Sequence, residues 1–371
     1  MTKPGPDIPI ERVEVSAYTI PTDAPEADGT ATWKATTMVV VEPIAGEVRG
    51  LGWSYTGAAA ADAVRDVLAD CVVGSSALDV AAAADRMALE VRNLGRPGLV
   101  ATAISAVDIA LWDLKAKLLD LPLCRLLGRA RDSVAIYGSG GFTTYDDDRT
   151  REQLGGWVHD QGIPRVKMKI GESWGSREDR DEHRVAIARE AIGPDAELYV
   201  DANGGYTRGQ AVRMARRFLM YDVTWFEEPV SSDDLRGLAE IRTEVAPDVA
   251  AGEYGYDLGY FQRMCDAQAV DCIQADVTRC GGITEWLRVA AVAAGHHLQI
   301  SGHCAPHLHA QVAAAVPNLR HLEWFHDHVR IESMLFDGTL DPTGGRLVPD
   351  QGRPGLGLEL RRDAAEPYRV G

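Results

Sequence analysis

The chain is short of positive charge, of paired cysteines and of any apolar leader. Lysine and arginine total 38 against 55 aspartates and glutamates in 371 residues, a formal net charge of −17, and no long basic run offsets it. Nucleic acid and membrane are therefore not expected partners, since nucleic acids and anionic membranes attract a positive face. An anionic substrate would need a local patch of lysines or a bound cation to draw it in. The six cysteines, Cys71, Cys124, Cys265, Cys272, Cys280 and Cys304, stand in apolar contexts without a C-x-x-C pair. Buried reduced thiols are expected rather than disulfides or a thiolate zinc site. Residues 1–10 carry Pro4, Pro6 and Asp7 where a secretory leader would need an apolar core, so the expected location is the cytoplasm. No internal repeat, low-complexity tract or interdomain linker stands out.

At 371 residues the chain exceeds one small core, and a barrel of about 250 residues beside a smaller domain is the natural division. Alternating, β-branched stretches predict antiparallel strands over 9–18 and 36–41. Between them, the polar turn-rich run 21–30 reads as a long loop, and Gly50-Leu-Gly-Trp-Ser-Tyr-Thr-Gly57 as a Gly-rich turn. Helical periodicity follows over 58–72, 78–93 and 100–119, completing an α+β domain over residues 1–130. From Ser133 the texture becomes a β/α repeat, with eight strand candidates at 134–137, 165–170, 198–201, 224–227, 249–251, 270–275, 298–301 and 321–324. Eight parallel strands close a barrel, here over 131–340. The Gly- and Pro-rich tail 341–371 is expected to return to the first domain.

Three of those runs end in carboxylates at matched spacing: Asp201, Glu227 and Glu253, 26 residues apart and 26 again. Barrel strand ends share one rim, so the three converge. Acids at strand ends also cap helices or pair with lysines, but three converging carboxylates repel unless something positive lies between them. All-oxygen ligation suits a hard cation such as Mg²⁺. In Arg165-Val-Lys167-Met-Lys169-Ile170, alternation puts both lysines on one face, where a barrel interior normally takes apolar residues. Either both simply pair with the carboxylates, or mutual repulsion together with a nearby metal leaves one partly neutral as a base. Asp276 and His303 end consecutive strands 27 residues apart, which sets a carboxylate beside an imidazole as an acid/base dyad. His307 and His309 leave a zinc cluster open, although no H-E-x-x-H spacing supports one. Glu323, at the eighth strand end, is placed either to pair with a buried cation or to hydrogen-bond an oxygen gaining charge; if protonated it would donate that bond. The chemistry this predicts is abstraction of a proton α to a carboxylate, with Lys169 and His303 on opposite sides of the substrate.

The motifs Lys167-Met-Lys169, Asp201-Ala-Asn203, Phe226-Glu227-Glu228-Pro229, Gly252-Glu253, Asp276, Gly302-His303 and Leu322-Glu323-Trp324 together resemble the enolase superfamily, in particular its mandelate racemase subgroup. The likeness spans nearly the whole chain and implies an α/β fold: a modified (β/α) TIM barrel with an N-terminal α+β capping domain completed by the C-terminal tail. It implies one Mg²⁺ per subunit on Asp201, Glu227 and Glu253, with Glu228 outside its ligand set. It further implies Lys169 and the Asp276-supported His303 as bases, Lys167 on the substrate carboxylate and Glu323 on the enolate oxygen. The muconate-lactonising and dipeptide-epimerase subgroups carry a lysine on the sixth strand, where this chain has Asp276-Val-Thr-Arg279. Loops 21–33 and 52–57 would close over the site, with Trp33, Lys34, Tyr55 and Asn203 as candidate substrate contacts. The activity implied is dehydration of an acid sugar, an aldonate or aldarate, to a 2-keto-3-deoxy acid. Racemisation, epimerisation or cycloisomerisation of a related acid is the alternative, and a non-catalytic binding protein a remote one. The expected partners are a small carboxylate substrate and further copies of the chain, as a dimer up to an octamer.

Overall fold

In the computed structural model, which describes residues 8–371, the chain opens with an antiparallel sheet of four strands: β1 (Arg12–Ala27), β2 (Thr32–Ala45), β3 (Val48–Arg49) and β4 (Gly52–Tyr55). The leader reading of residues 1–10 falls mostly outside the described residues. Two expected turns prove to be strand. Residues 21–27 continue β1, pairing Pro21 with Ala35 and, past an irregularity, Glu26 with Trp33 and Ala27 with Thr32. The irregularity takes up Pro25, which cannot donate to a ladder. The turn shrinks to 28–31, where Asp28 Oδ1 accepts from Thr30 N at 2.6 Å and Ala31 N at 2.7 Å, a side chain standing in for a turn's backbone bond. Likewise 52–55 pairs with β2 from Val41↔Gly52 to Met38↔Tyr55. Its glycine serves close packing rather than a turn: a Cβ on Gly52 would lie 2.4 Å from Ala106 O in the helix Leu99–Leu118. That helix is buried along most of its length and carries Ala101, Ala103, Ala106, Ala110 and Ala116, so the sheet can approach its backbone.

The eight apolar runs of the second half form parallel strands, each overlapping its expected segment: β5 (Val134–Gly140), β6 (Arg165–Lys169), β7 (Glu197–Asp201), β8 (Val223–Glu227), β9 (Asp248–Ala251), β10 (Cys272–Ala275), β11 (Gln299–Gly302) and β12 (Leu319–Phe325). They pair in sequence order, and β12 closes on β5. Tyr137, Tyr199, Trp225, Ala250 and Cys272 form a small buried cluster of their own. Two residues beyond Tyr199 and Trp225, on the same faces, stand Asp201 and Glu227, so the barrel exchanges apolar filling for charge as its strands end. Beyond β12, β13 (Phe336–Asp337) pairs with β15 (Glu359–Leu360), and β14 (Arg346–Leu347) lies antiparallel to β5. The end of the chain lies beside the first cap strand. Ala17 N donates to Gly371 O at 3.0 Å, and Val370 N to Ala17 O at 2.8 Å. Among the described residues no helix is long and apolar enough to cross a membrane.

Candidate active site

The carboxyl ends of β6 to β12 bring the charged residues together. Lys167 Nζ lies 2.6 Å from Glu227 Oε1, 2.7 Å from Glu323 Oε1 and 3.6 Å from Asp201 Oδ2, while Lys169 Nζ donates to Asp201 Oδ2 at 2.5 Å. All of these groups are buried. Burial alone would lower both ammonium pKa values, but the Glu227, Glu323 and Asp201 charges raise Lys167, and Asp201 raises Lys169 against the opposing charge of Lys167. Between the side chains alone, the carboxylates outweigh the mutual repulsion of the two lysines. Burial, with Asp201 and Glu323 nearby, pushes Glu227 to about 8 despite Lys167. Glu323 goes the other way. Burial raises it, but Lys167, His303 and Lys169 outweigh that and hold it well below the usual range. It is therefore ionised rather than a protonated donor.

On β10 and β11, His303 Nδ1 meets Asp276 Oδ2 at 2.8 Å, which leaves Nε2 facing the cavity. Burial works against the aspartate charge, yet the bond to His303 and the charges of His303 and Arg279 bring Asp276 down to about 2. His303 is pulled down by burial and raised overall by the negative groups around it, Glu253 and Glu323 among them. Its Nε2 lies 3.3 Å from Glu253 Oε2, without hydrogen-bond geometry, and 3.3 Å from Cys304 Sγ. His307 and His309 take no part in this cluster. His307 Nδ1 accepts from Leu340 N, and His309 Nδ1 meets Cys304 O.

A cation's fit can be judged from the acceptors. One oxygen from each of Asp201, Glu227 and Glu253 lies within 4.8 Å of the others. Glu253 Oε2, Glu228 Oε1 and Asn203 Oδ1 are buried without a hydrogen-bond partner. Unpaired buried acceptors cost stability, and a hard divalent cation is the ligand that satisfies several oxygens at once. The residues present fit Mg²⁺, and they fit zinc poorly because hard oxygens dominate the set.

These groups open into a cavity of about 370 Å³ whose far wall is the cap. The hairpin tip is docked on the barrel rim: Thr143 N donates to Ala27 O and Trp174 N to Gly29 O, both at 2.9 Å. A Cβ on Gly29 would lie 2.6 Å from Ala202 O, so only glycine allows that approach. Trp33 lies edge-on to Phe142 at 5.6 Å and donates through Nε1 to Glu26 Oε2. Trp33, Tyr55 and Asn203 line the cavity, but Lys34 does not: it stands exposed on β2. Sequence reasoning passed over Asp28, Thr36, Thr37, Thr56 and His328 in the lining, and Ser139, whose Oγ donates to Glu323 Oε1 at 2.6 Å. Ser139 alone carried a signal, its place near the carboxyl end of the first barrel strand. A second concavity of about 460 Å³ lies around Ser231, Tyr254, Tyr256 and Tyr260, but it gathers no comparable set of acids and bases.

A closed, capped β/α barrel with clustered carboxylates, two lysines and a His–Asp pair at its mouth defines an enzyme scaffold. The chain belongs to the mandelate racemase / muconate lactonizing enzyme family: residues 12–128 match that family's N-terminal domain, and residues 149–364 the enolase C-terminal domain-like model. It is 32% identical to the L-talarate/galactarate dehydratase of Salmonella typhimurium over 370 residues, covering 96% of this chain and 90% of that one. A mandelate racemase/muconate lactonizing enzyme-like protein from Rubrobacter xylanophilus superposes with a TM-score of 0.94 at 51% identity, covering 98% of this chain and all of that one. A racemase from Streptomyces coelicolor, solved with bound magnesium, superposes at 0.91 with 30% identity, covering 97% of this chain and all of that one.

Proposed function

We propose that the protein dehydrates an acid sugar to a 2-keto-3-deoxy acid, with Mg²⁺ held by Asp201, Glu227 and Glu253. The observation that carries this reading is the pair of nitrogen bases, Lys169 on β6 and His303 following β11, which face one cavity from separated strands beside the three clustered carboxylates. Asp201, Glu227 and Glu253 would hold the cation, which would supply positive charge to the substrate carboxylate. Lys167 keeps its charge in this pocket and adds a second positive group on the carboxylate. One base takes the C2 proton, and the C2–H electron pair moves into the substrate as an enediolate. The other base delivers a proton to the C3 hydroxyl, the C3–O bond breaks and water leaves. The resulting enol gains a proton at C3 and releases the proton on its C2 oxygen to give the ketone. Asp276 holds His303 by its Nδ1 so that Nε2 does this work. A capping tip docked on the rim keeps water from the enediolate. The 32% identity to a dehydratase over nearly the full chain supports the same reaction class.

The cap over residues 1–130, the barrel over 131–340 and the tail 341–371 are read as one functional unit, with chemistry on the barrel and selection on the cap. Six free cysteines support a reducing, cytoplasmic setting, and a homo-oligomer is the expected assembly. The test is proton NMR in D₂O with Mg²⁺ across mono- and diacid sugars. Loss of a substrate with a new 3-deoxy signal is expected. Deuterium entering C2 without elimination would transfer the assignment to racemisation.

A further inference from the structure

The cap wall of the cavity is built to accept hydrogen bonds. Its lining contributes Asp28, Ala31, Trp33, Ala35, Thr36, Thr37, Tyr55 and Thr56, and among the described residues no lysine or arginine of the cap joins them. Asp28 spends Oδ1 on the Thr30 and Ala31 amides and the Thr30 hydroxyl, while Oδ2 takes no hydrogen bond among the described residues. Two hydroxyls already give away their protons: Thr36 to Asp327 and Tyr55 OH to Glu332 Oε1. Thr37 and Thr56 each share one proton with a neighbouring threonine, at 2.8 Å. What Thr36, Tyr55 and Thr56 offer a ligand is lone pairs, as does Thr37 when Thr19 accepts from it. From the barrel side, His328 stacks on Tyr55 with ring centroids 3.4 Å apart, and its Nδ1 faces the Ala305 amide at 3.4 Å, so it shows the cavity a single N–H.

The cationic groups of the lining already have partners, and burial raises the Asp28 carboxyl while the nearby Lys169 charge opposes that rise. Lys169 is paired with Asp201. Arg279 is committed to Glu253 at 3.1 Å and Asp276 at 3.5 Å, with its guanidinium 5.5 Å from the centre of the Tyr254 ring. A substrate whose carboxylate meets Lys167 and the three acid ligands must extend its other end toward the cap. There an O–H finds acceptors, whereas a second carboxylate, which brings acceptors only, meets lone pairs and the Asp28 charge.

We propose that the substrate is a monocarboxylic acid sugar, an aldonate, and that Asp28 excludes the aldarate of the same configuration by pairing with the hydroxyls of a neutral polyol tail. This rests on the acid-sugar reading above and narrows it to one terminus. The experiment uses matched probes, D-gluconate against D-glucarate and D-galactonate against galactarate, with the Mg²⁺-loaded full chain. Turnover gives kcat/KM for each pair. Calorimetry on Lys169→Ala gives binding whether or not chemistry follows. The expected preference for the aldonate is on the order of 10²-fold, the scale set by leaving a buried charged group without its hydrogen-bond partners. In Asp28→Asn the side-chain oxygen still holds Thr30 and Ala31 while an N–H faces the tail, so the preference falls by about tenfold through the KM of the aldarate. A purely structural Asp28 would lower both substrates alike and leave the ratio fixed. An aldarate that binds and turns over as well as its aldonate overturns the inference and leaves the acid-sugar reading intact. Failure of every probe to bind or turn over defeats both. Binding of aldonates without turnover supports the inference and defeats the dehydratase reading alone.

Discussion

Glu332 offers a quantitative test of how the cap is held to the barrel. It is fully buried in the helix His326–Leu335, accepts from Tyr55 OH at 3.0 Å through Oε1, and leaves Oε2 without a partner, 3.8 Å from His307 Nε2. Burial raises its carboxyl from 4.5 to about 8, despite the stabilising bond from Tyr55. A carboxyl raised in the folded state binds its proton there while the unfolded chain has already released it. Between about pH 4.5 and 8 stability therefore falls as pH rises, and above that window the whole penalty is present. The shift amounts to roughly 5 kcal/mol at full ionisation, of which about 4 develops between about pH 5 and pH 9. Glu332→Gln keeps the acceptor for Tyr55 and removes the charge. The variant should match the parent near pH 5 and exceed it increasingly toward pH 9. At roughly 2.1 cal/mol/K per residue over 371 residues, the gain is about 5 °C in Tm. The assay is paired calorimetric scans at stepped pH, in which every other titrating group cancels between the two proteins. Parallel Tm curves would show that Glu332 ionises freely in the folded state and would refute the reasoning.

Lys169→Ala and His303→Asn should each lower kcat by about 10³-fold or more with an unchanged far-UV circular dichroism spectrum, since each nitrogen acts on a proton in the transition state. Unchanged kinetics in both would remove the two-base assignment. A chelator should stop turnover and Mg²⁺ restore it. Mg²⁺ should also raise the Tm of the parent but not of Asp201→Asn, because only a ligand of the folded state stabilises it; activity persisting in the chelator refutes the carboxylate cage. Gly52→Ala drives a methyl group to 2.4 Å from Ala106 O and should cost about 1–3 kcal/mol in denaturant unfolding, whereas a neutral result would mean that β4 does not pack as closely as described.

The barrel was readable because its strands obey local rules. A buried parallel strand is a short apolar run, and the eight runs needed no knowledge of their partners to be found. The cap hairpin failed for the complementary reason. Pro21, Pro25 and Gly29 signal a loop, and their local preference is real, but β1 and β2 continue through Pro21 because Glu26 and Ala27 pair with Trp33 and Thr32 and the tip docks on Ala27, Asp28 and Gly29. Those contacts come from Thr143 and Trp174, more than a hundred residues away, and no window of sequence contains them. Gly50-Leu-Gly52 misled in the same way, since its glycines answer the helix Leu99–Leu118 rather than a turn.

The same division separates the groups proposed to react from the groups proposed to select. Asp201, Glu227, Glu253, Asp276 and His303 are fixed by strand ends, so a spacing near 26 residues suffices to bring them together. The cap wall depends on the faces of one hairpin, and there the sequence offered Trp33 and Lys34 on equal terms. Of residues 33–37 only Lys34 stays outside the lining. That single orientation decides the chemistry of the far wall. With Lys34 turned inward an ammonium would await a second carboxylate and the cavity would suit a diacid. With it turned outward, the nearest ionisable group the cap presents is Asp28, and the wall asks for hydroxyls. The reaction was therefore legible from sequence and the substrate was not, because one is set by where strands end and the other by which way a strand faces.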